Sequence, residues 1–217
     1  MNTAIICGGT INKDFTAFFL KKQNIDCIIA ADKGLEFCYD EKIMPDYILG
    51  DYDSIRQATL AWYKEHSKTP LMVFPPEKDD TDAGLALEKA LEIGSSKIYM
   101  LGALGGRMDH CIANIHMLKT ALDRGVEAYL ADEQNLISLI EKETVIHKEE
   151  QFGKYISFLP FTDEVEGITL EGFKYPLADY TMKKGQSIGV SNEMVSEFCR
   201  VTFKRGILLM IQSKDKN

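Results

Sequence analysis

Six short apolar runs, at 4–7, 25–31, 47–49, 71–74, 97–101 and 126–131, divide the first part of this 217-residue sequence, and amphipathic stretches lie between most of them. Runs of that length read as buried strands. The clearest helix falls at 82–93, where Leu85, Leu87, Ala90 and Leu91 supply an apolar face, Asp80 or Thr81 can cap the start and Gly94 stops it. A second helix, 109–123, is closed by Gly125. Strands alternating with helices over this length predict an α/β architecture: a mostly parallel sheet with helices on both faces.

The texture changes near Glu141. The segments 155–159, 165–170, 186–190, 198–203 and 207–212 are β-like runs separated by Gly, Pro and Asp, and Lys204-Arg205-Gly206 reads as a hairpin turn. We therefore expect two domains, an α/β domain over 1–141 and an all-β, sandwich-like domain over 142–217.

Charge separates the same two parts. The 14 basic and 22 acidic residues up to residue 141 leave a balance of −8, whereas the 11 of each that follow cancel. An electronegative first domain without a Lys/Arg stripe argues against nucleic-acid binding, which depends on neutralising phosphates. No apolar run approaches the roughly 20 residues that span a bilayer, and residues 1–7 lack the basic start and long apolar stretch of a signal peptide. The expected setting is the cytoplasm, away from membranes. The five cysteines form no C-x-x-C pair, so buried, reduced thiols are expected rather than disulfides or a zinc knuckle.

The aspartates carry the chemical signal. Asp32 follows the second strand, Asp51 and Asp53 the third, Asp79, Asp80 and Asp82 the fourth, and Asp109 the fifth with its glycine-rich loop. In an open parallel sheet these ends border one crevice. A single loop aspartate is usually a cap or a solvated residue, and a cap suffices to explain Asp80. Carboxylates gathered from four loops repel one another unless a cation compensates, and hard oxygen ligands favour Mg2+. The pair Asp51 and Asp53, alternate residues of one extended segment, is the centre of this expectation.

The segment Gly102-Ala103-Leu104-Gly105-Gly106-Arg107-Met108-Asp109-His110 opens the next helix. Its glycines let backbone approach a phosphate, amides at a helix start point at anions, and Arg107 can bind two phosphate oxygens. It matches neither G-x-x-x-x-G-K-[ST] nor G-x-G-x-x-G, and so does not support a P-loop NTPase or a dinucleotide-binding dehydrogenase. His110 is placed to touch a nucleotide, whereas His66, His116 and His147 form no H-E-x-x-H zinc motif. There is no G-x-S-x-G elbow and no Cys-His nucleophile.

Taken together, Gly50-Asp51-Tyr52-Asp53-Ser54, Asp79-Asp80-Thr81-Asp82, residues 101–110 and Ser191-Asn192 resemble the thiamine pyrophosphokinases of bacterial type, over nearly the whole chain. The resemblance implies an N-terminal nucleotide domain, a C-terminal β-sandwich that binds thiamine, and a homodimer with active sites between subunits. It implies that Asp51, Asp53 and Asp82 surround Mg2+, that Asp109 is catalytic with them, and that Asp32, Thr81, Gly105, Gly106, Arg107 and His110 bind nucleotide. Ser191 and Asn192 match the segment reaching thiamine. Lys78 stands where other members carry an amide side chain, at a position that bears on pyrimidine recognition. Some members stack an aromatic of the second domain on the vitamin; here the only Trp, Trp62, is in the first domain, leaving Tyr175, Tyr180 and Phe198 as alternatives.

The implied reaction moves the diphosphoryl group of ATP to the hydroxyl of thiamine, giving thiamine diphosphate and AMP; one of the carboxylates, with Asp82 our choice, could accept the alcohol proton. One alternative keeps the chemistry and changes the acceptor, for instance to a pterin alcohol. Another is a nucleotide or thiamine sensor without catalysis, against which the complete aspartate set argues.

Overall fold

The computed structural model describes residues 1–73 and 80–216, grouped in two compact units, Met1–Glu133 and Gln134–Asn217. The first unit runs β1 (Asn2–Ile6), α1 (Lys13–Lys22), β2 (Cys27–Ala31), α2 (Gly34–Asp40), β3 (Tyr47–Gly50), α3 (Gln57–His66), β4 (Leu71–Val73), α4 (Asp82–Glu92), β5 (Lys97–Leu101), α5 (Met108–Asp123) and β6 (Glu127–Ala131). Its strands pair in the order β6-β5-β1-β2-β3-β4, parallel throughout. Strands flanked on both sides and covered on both faces must be apolar along their length. Accordingly Ala4, Ile5 and Ile6 of β1 and Ile98, Met100 and Leu101 of β5 have no exposed surface.

From β1 the chain steps outward through β2 and β3 to β4, then crosses back to β5 and steps the other way to β6. Right-handed crossovers in opposite directions place the helices of the two halves on opposite faces. The contacts agree, since α2 packs on α3 while α4 packs on α5 and over β1 to β3. The order therefore reverses between β1 and β5, the place where open α/β sheets form a crevice beyond their carboxyl ends.

Helix α4 is built as its sequence indicates. The Thr81 side chain accepts the Gly84 N–H at 3.2 Å and Gly94, at φ +79°, ends the helix. The buried positions are Gly84, Ala86, Leu87 and Ala90, with Leu85 and Leu91 only half-buried, so the buried face is rotated toward the small residues. In α3, Trp62 stacks on His66 with ring centroids 5.0 Å apart and meets Tyr39 and Tyr63 edge-on.

The second unit comprises β7 (Asn135–Ile140), β8 (Thr144–His147), β9 (Tyr155–Pro160), β10 (Glu164–Glu171), β11 (Leu177–Lys183), β12 (Asn192–Glu193), β13 (Phe198–Thr202) and β14 (Leu208–Ser213). The antiparallel sets β12-β9-β14-β7 and β11-β10-β13-β8 enclose a core that includes Ile156, Phe158 and Met210 from the first and Val165, Ile168 and Val201 from the second. Phe158 meets Phe173 edge-on at 5.6 Å. This is a β-sandwich. The unit begins ahead of the division expected after Glu141 because Asn135–Ile140 pairs along its whole length with β14.

Two local expectations are corrected. Residues 186–190 form turns rather than a strand. A Cβ on Gly189 would lie 2.2 Å from the Phe158 carbonyl oxygen, so this backbone packs directly on β9. Lys204-Arg205-Gly206 closes no hairpin, because β13 and β14 lie in different sheets. The segment instead stays bonded to β10, with Lys204 N–H on Glu166 O and Glu166 N–H on Arg205 O, and turns across the sandwich at Gly206, φ +106°. All five cysteines are buried and free.

Candidate active site

A cleft of about 570 Å3 opens in the first unit where the strand order reverses. The loops after β1, β2, β3 and β5 and the start of α4 all reach it. Of the expected residues, Asp32, Asp51, Thr81, Asp82, Gly105, Gly106, Arg107 and His110 line it. Sequence reasoning missed Cys7, Gly8, Gly9 and Thr10 after β1, and Asn114 of α5. Gly8-Gly9-Thr10 directly after a buried strand was the available signal. Asn114 had none, being a buried residue whose Nδ2 donates to the Ala103 carbonyl at 2.7 Å and so fixes the glycine loop.

The acidic loops are held by backbone left-handedness and by one ring. Asp32 lies at φ +49° and its N–H donates to the Leu49 carbonyl at 2.8 Å, tying the end of β2 to β3. A Cβ on Gly50 would meet the Asp32 Cα at 3.2 Å, and glycine there lets the two loops pass. Tyr52, at φ +65°, turns the chain sharply between the two acids. Left-handed backbone is costly for a bulky residue, and here burial of the ring to 7% exposure offsets the cost while its hydroxyl donates to the Ile48 carbonyl at 3.1 Å. Beyond the turn, the Asp53 N–H donates to Asp51 Oδ1 at 3.1 Å and the Ser54 hydroxyl to Asp32 Oδ1 at 2.5 Å.

Asp32, Asp51 and Asp53 therefore converge, each offering an oxygen within 4.8 Å of the others. Electrostatics registers the crowding. The Asp53 carboxyl is pushed above the usual aspartate range, first by Asp51 through hydrogen bond and charge and then by Asp32 and Asp82. Asp82, expected in the metal group, lines the same cleft from the first turn of α4 but lies outside the trio, in which Asp32 stands instead. Its charge still reaches inward: burial, followed by Asp82, pushes the Tyr52 phenol and the Cys7 thiol up to about 12 each.

Across the cleft's glycine side, Gly102, Gly105 and Gly106 have φ of +68°, +81° and +74°. Gly9 N–H donates to the Gly102 carbonyl at 3.0 Å, which locks the loop after β1 to the loop after β5. Arg107 reaches Asp109 through Nε at 3.2 Å and Nη2 at 2.6 Å. Asp109, expected among the catalytic acids, does not line the cleft. Its carboxylate pairs with the Arg107 guanidinium and is held below the usual range first by Arg107 and then by the His110 N–H; Asp53 likewise stands outside the cleft lining.

Ser191 and Asn192 belong to the second unit. The Ser191 N–H donates to Ser157 Oγ at 3.0 Å. Asn192 is buried and clasps the Tyr175 backbone, accepting its N–H at 2.9 Å and donating to its carbonyl at 2.7 Å. Of the aromatic alternatives, Tyr175 and Phe198 are exposed and Tyr180 is half-buried. Lys78 and Asp79 lie outside the described residues.

Two family models match the chain, the thiamin pyrophosphokinase catalytic domain over residues 20–130 and the thiamin pyrophosphokinase vitamin B1 binding domain over residues 143–208. The thiamine pyrophosphokinase of Bacillus subtilis (strain 168) is 36% identical over 187 residues, covering 86% of this chain and 87% of the relative. A crystal structure of the Bacillus subtilis thiamine pyrophosphokinase superposes with a TM-score of 0.89 at 34% identity, each chain fully covered. The Geobacillus thermodenitrificans thiamin pyrophosphokinase superposes at 0.86 and 29%, covering 100% of this chain and 99% of that one.

Proposed function

The chain belongs to the thiamine pyrophosphokinase family, and from that premise we propose that its cleft at the ends of β1 and β5 binds ATP with Mg2+ while the second unit presents thiamine. The activity is the family's: the chain is a transferase that moves a pyrophosphoryl group from ATP to thiamine, making thiamine diphosphate. In the reaction a bond forms between the thiamine hydroxyl oxygen and Pβ, the Pα–O–Pβ bridge breaks, AMP leaves and the alcohol loses its proton.

The observation that carries the site assignment is the convergence of Asp32, Asp51 and Asp53 oxygens at the strand ends. Three hard oxygen donors gathered there would hold a Mg2+ ion, and the raised Asp53 titration marks the repulsion such a cation would relieve. In this reading Asp32 takes the place expected for Asp82 in the trio. When bound, Mg2+ supplies charge neutralisation to the transferred phosphoryl oxygens. Asp82 accepts the proton of the thiamine hydroxyl. Thr81 caps α4 beside the nucleotide, and the Gly105-Gly106 amides and Arg107 hold the triphosphate, with His110 alongside. Asp109 keeps Arg107 aimed. Ser191 and the Tyr175 segment held by Asn192 face the vitamin, in a cytoplasmic homodimer whose active sites lie between subunits.

A direct assay tests this reading: AMP and thiamine diphosphate are expected in equal amounts only when ATP, thiamine and Mg2+ are all present. Turnover that survives chelation of divalent cations overturns the metal assignment, and preference for a pterin alcohol overturns the substrate. Arg107→Lys keeps the charge but loses the two-pronged geometry, and it is expected to raise the KM for ATP about tenfold, the scale of a lost charge-assisted bond. An unchanged KM removes Arg107 from phosphate binding. Light scattering at the mass of one chain removes the dimer.

A further inference from the structure

The acidic loop between β3 and α3 is fastened at two points to the chain segment that carries Asp32. Near the trio, Ser54 bonds Asp32. Two residues on, Arg56 meets Glu36 of α2, four residues beyond Asp32. Glu36 Oε1 accepts the Arg56 backbone N–H at 2.6 Å, while Oε2 accepts the Arg56 guanidinium and the Thr59 hydroxyl, the latter at 3.0 Å. Arg56 is the N-cap residue of α3, and its own side chain makes no cap bond. Glu36 therefore accepts, from α2, the N-cap backbone N–H that a residue of the helix's own first turn accepts in a capping box.

An exposed ion pair would contribute little, and most of the Arg56 side chain is indeed in solvent. Glu36 is different: its side chain is only 13% exposed and receives donors from a backbone, a guanidinium and a hydroxyl at once. A second carboxylate steadies the guanidinium, since Arg56 Nη2 lies 3.3 Å from Asp40 Oδ1 and Asp40 is paired with Lys13 at 2.6 Å. The result is a second tie to the acidic loop, this one from α2, beside the Ser54–Asp32 bond.

We propose that Glu36 is a positioning residue for the reaction: by capping α3 from α2 it sets the distance between Asp32 and the Asp51/Asp53 pair. The proposal rests on the reading that this trio holds the divalent cation. Groups that orient metal ligands typically change affinity by one to two orders of magnitude when removed. The Tyr52 ring fixes the turn between Asp51 and Asp53, whereas the ties from that loop to the segment carrying Asp32 run through Ser54 and through Arg56 to Glu36.

The test uses Mn2+ as the probe, with binding to the full-length protein measured by electron paramagnetic resonance without nucleotide, beside kcat, the KM for thiamine and the melting temperature. Glu36→Ala is expected to weaken Mn2+ roughly tenfold and to lower kcat by a similar factor with the thiamine KM unchanged. Glu36→Gln, which keeps an acceptor for the Arg56 N–H, is expected to recover part of both. A lowered melting temperature with wild-type Mn2+ affinity and kcat overturns the proposal, leaving Glu36 a purely structural cap. Asp51→Asn measured in parallel separates the two readings: lost Mn2+ binding there with normal binding in Glu36→Ala overturns the positioning role alone, whereas normal binding in both overturns the cation site and the proposal with it. Should Glu36→Ala not fold, Arg56→Gln carries the same test with an expected weakening of about threefold, because the backbone N–H to Glu36 survives; wild-type affinity in that variant overturns the proposal.

Discussion

Asp51→Asn is expected to lower kcat by about two orders of magnitude or more, the scale of losing one electrostatic contact to a transition state, without lowering the melting temperature of the cation-free protein. Asp51 is the principal neighbour of Asp53: its Oδ1 accepts the Asp53 N–H, and its carboxyl, first by side-chain hydrogen bond and then by charge, raises the Asp53 titration. The amide keeps the shape and the acceptor oxygen, so the turn survives. The sign for stability runs against the sign for activity. A carboxyl whose folded titration lies above the unfolded value of about 3.9 favours folding at pH below that value and loses this contribution as pH rises through the folded one. At neutral pH the ionised Asp53 beside Asp51 opposes folding, and removing the Asp51 charge eases it. Steady-state kinetics with calorimetry checks both halves; a kcat within tenfold of wild type, or a fall in melting temperature without Mg2+, contradicts the assignment.

Gly34→Ala is the second large effect, and it acts through the fold. Gly34 opens α2 against the central strand, and a Cβ there would stand 1.9 Å from the Ile6 carbonyl oxygen and 2.6 Å from its carbon. Ile6 is fully buried in β1, which is bonded to β2 on one side and β5 on the other, so it cannot yield. Overpacking of this kind costs about 3 kcal/mol or more, roughly a 10 °C fall in melting temperature for a chain of this size. Gly94→Ala is the control: no atom lies within 4 Å of its Cβ and only the φ of +79° resists, at about 1 kcal/mol. Equal melting temperatures for the two variants would refute the close-approach argument.

The contrast between these positions also explains how much the sequence could say. Short apolar runs separated by helical stretches specify parallel, doubly covered strands, and all six of those expected in the first unit begin within the described residues as strands. Thr81 and Gly94 mark α4 because capping is local chemistry. Long-range pairing is not local. Lys204-Arg205-Gly206 has the composition of a hairpin, yet nothing in it records that β14 pairs with β7 and β9. Strand β11 went unread because its side chains are mostly exposed and carry no apolar alternation. The aspartates could be assigned to one crevice from strand ends alone, but the preference for Asp32 over Asp82 in the trio depends on the Leu49 carbonyl and the Ser54 hydroxyl, which only folding brings to Asp32. Glu36 looked like any helix-surface acid, since its partners lie about 20 residues away along the chain.

The buried ring of Tyr52 has a consequence for timing. Because the sharp turn between Asp51 and Asp53 is anchored in the apolar interior, the like charges are brought together by folding itself. For the proposed cation site this means that the turn between Asp51 and Asp53 needs no ordering when an ion arrives, and its binding bears less of that cost.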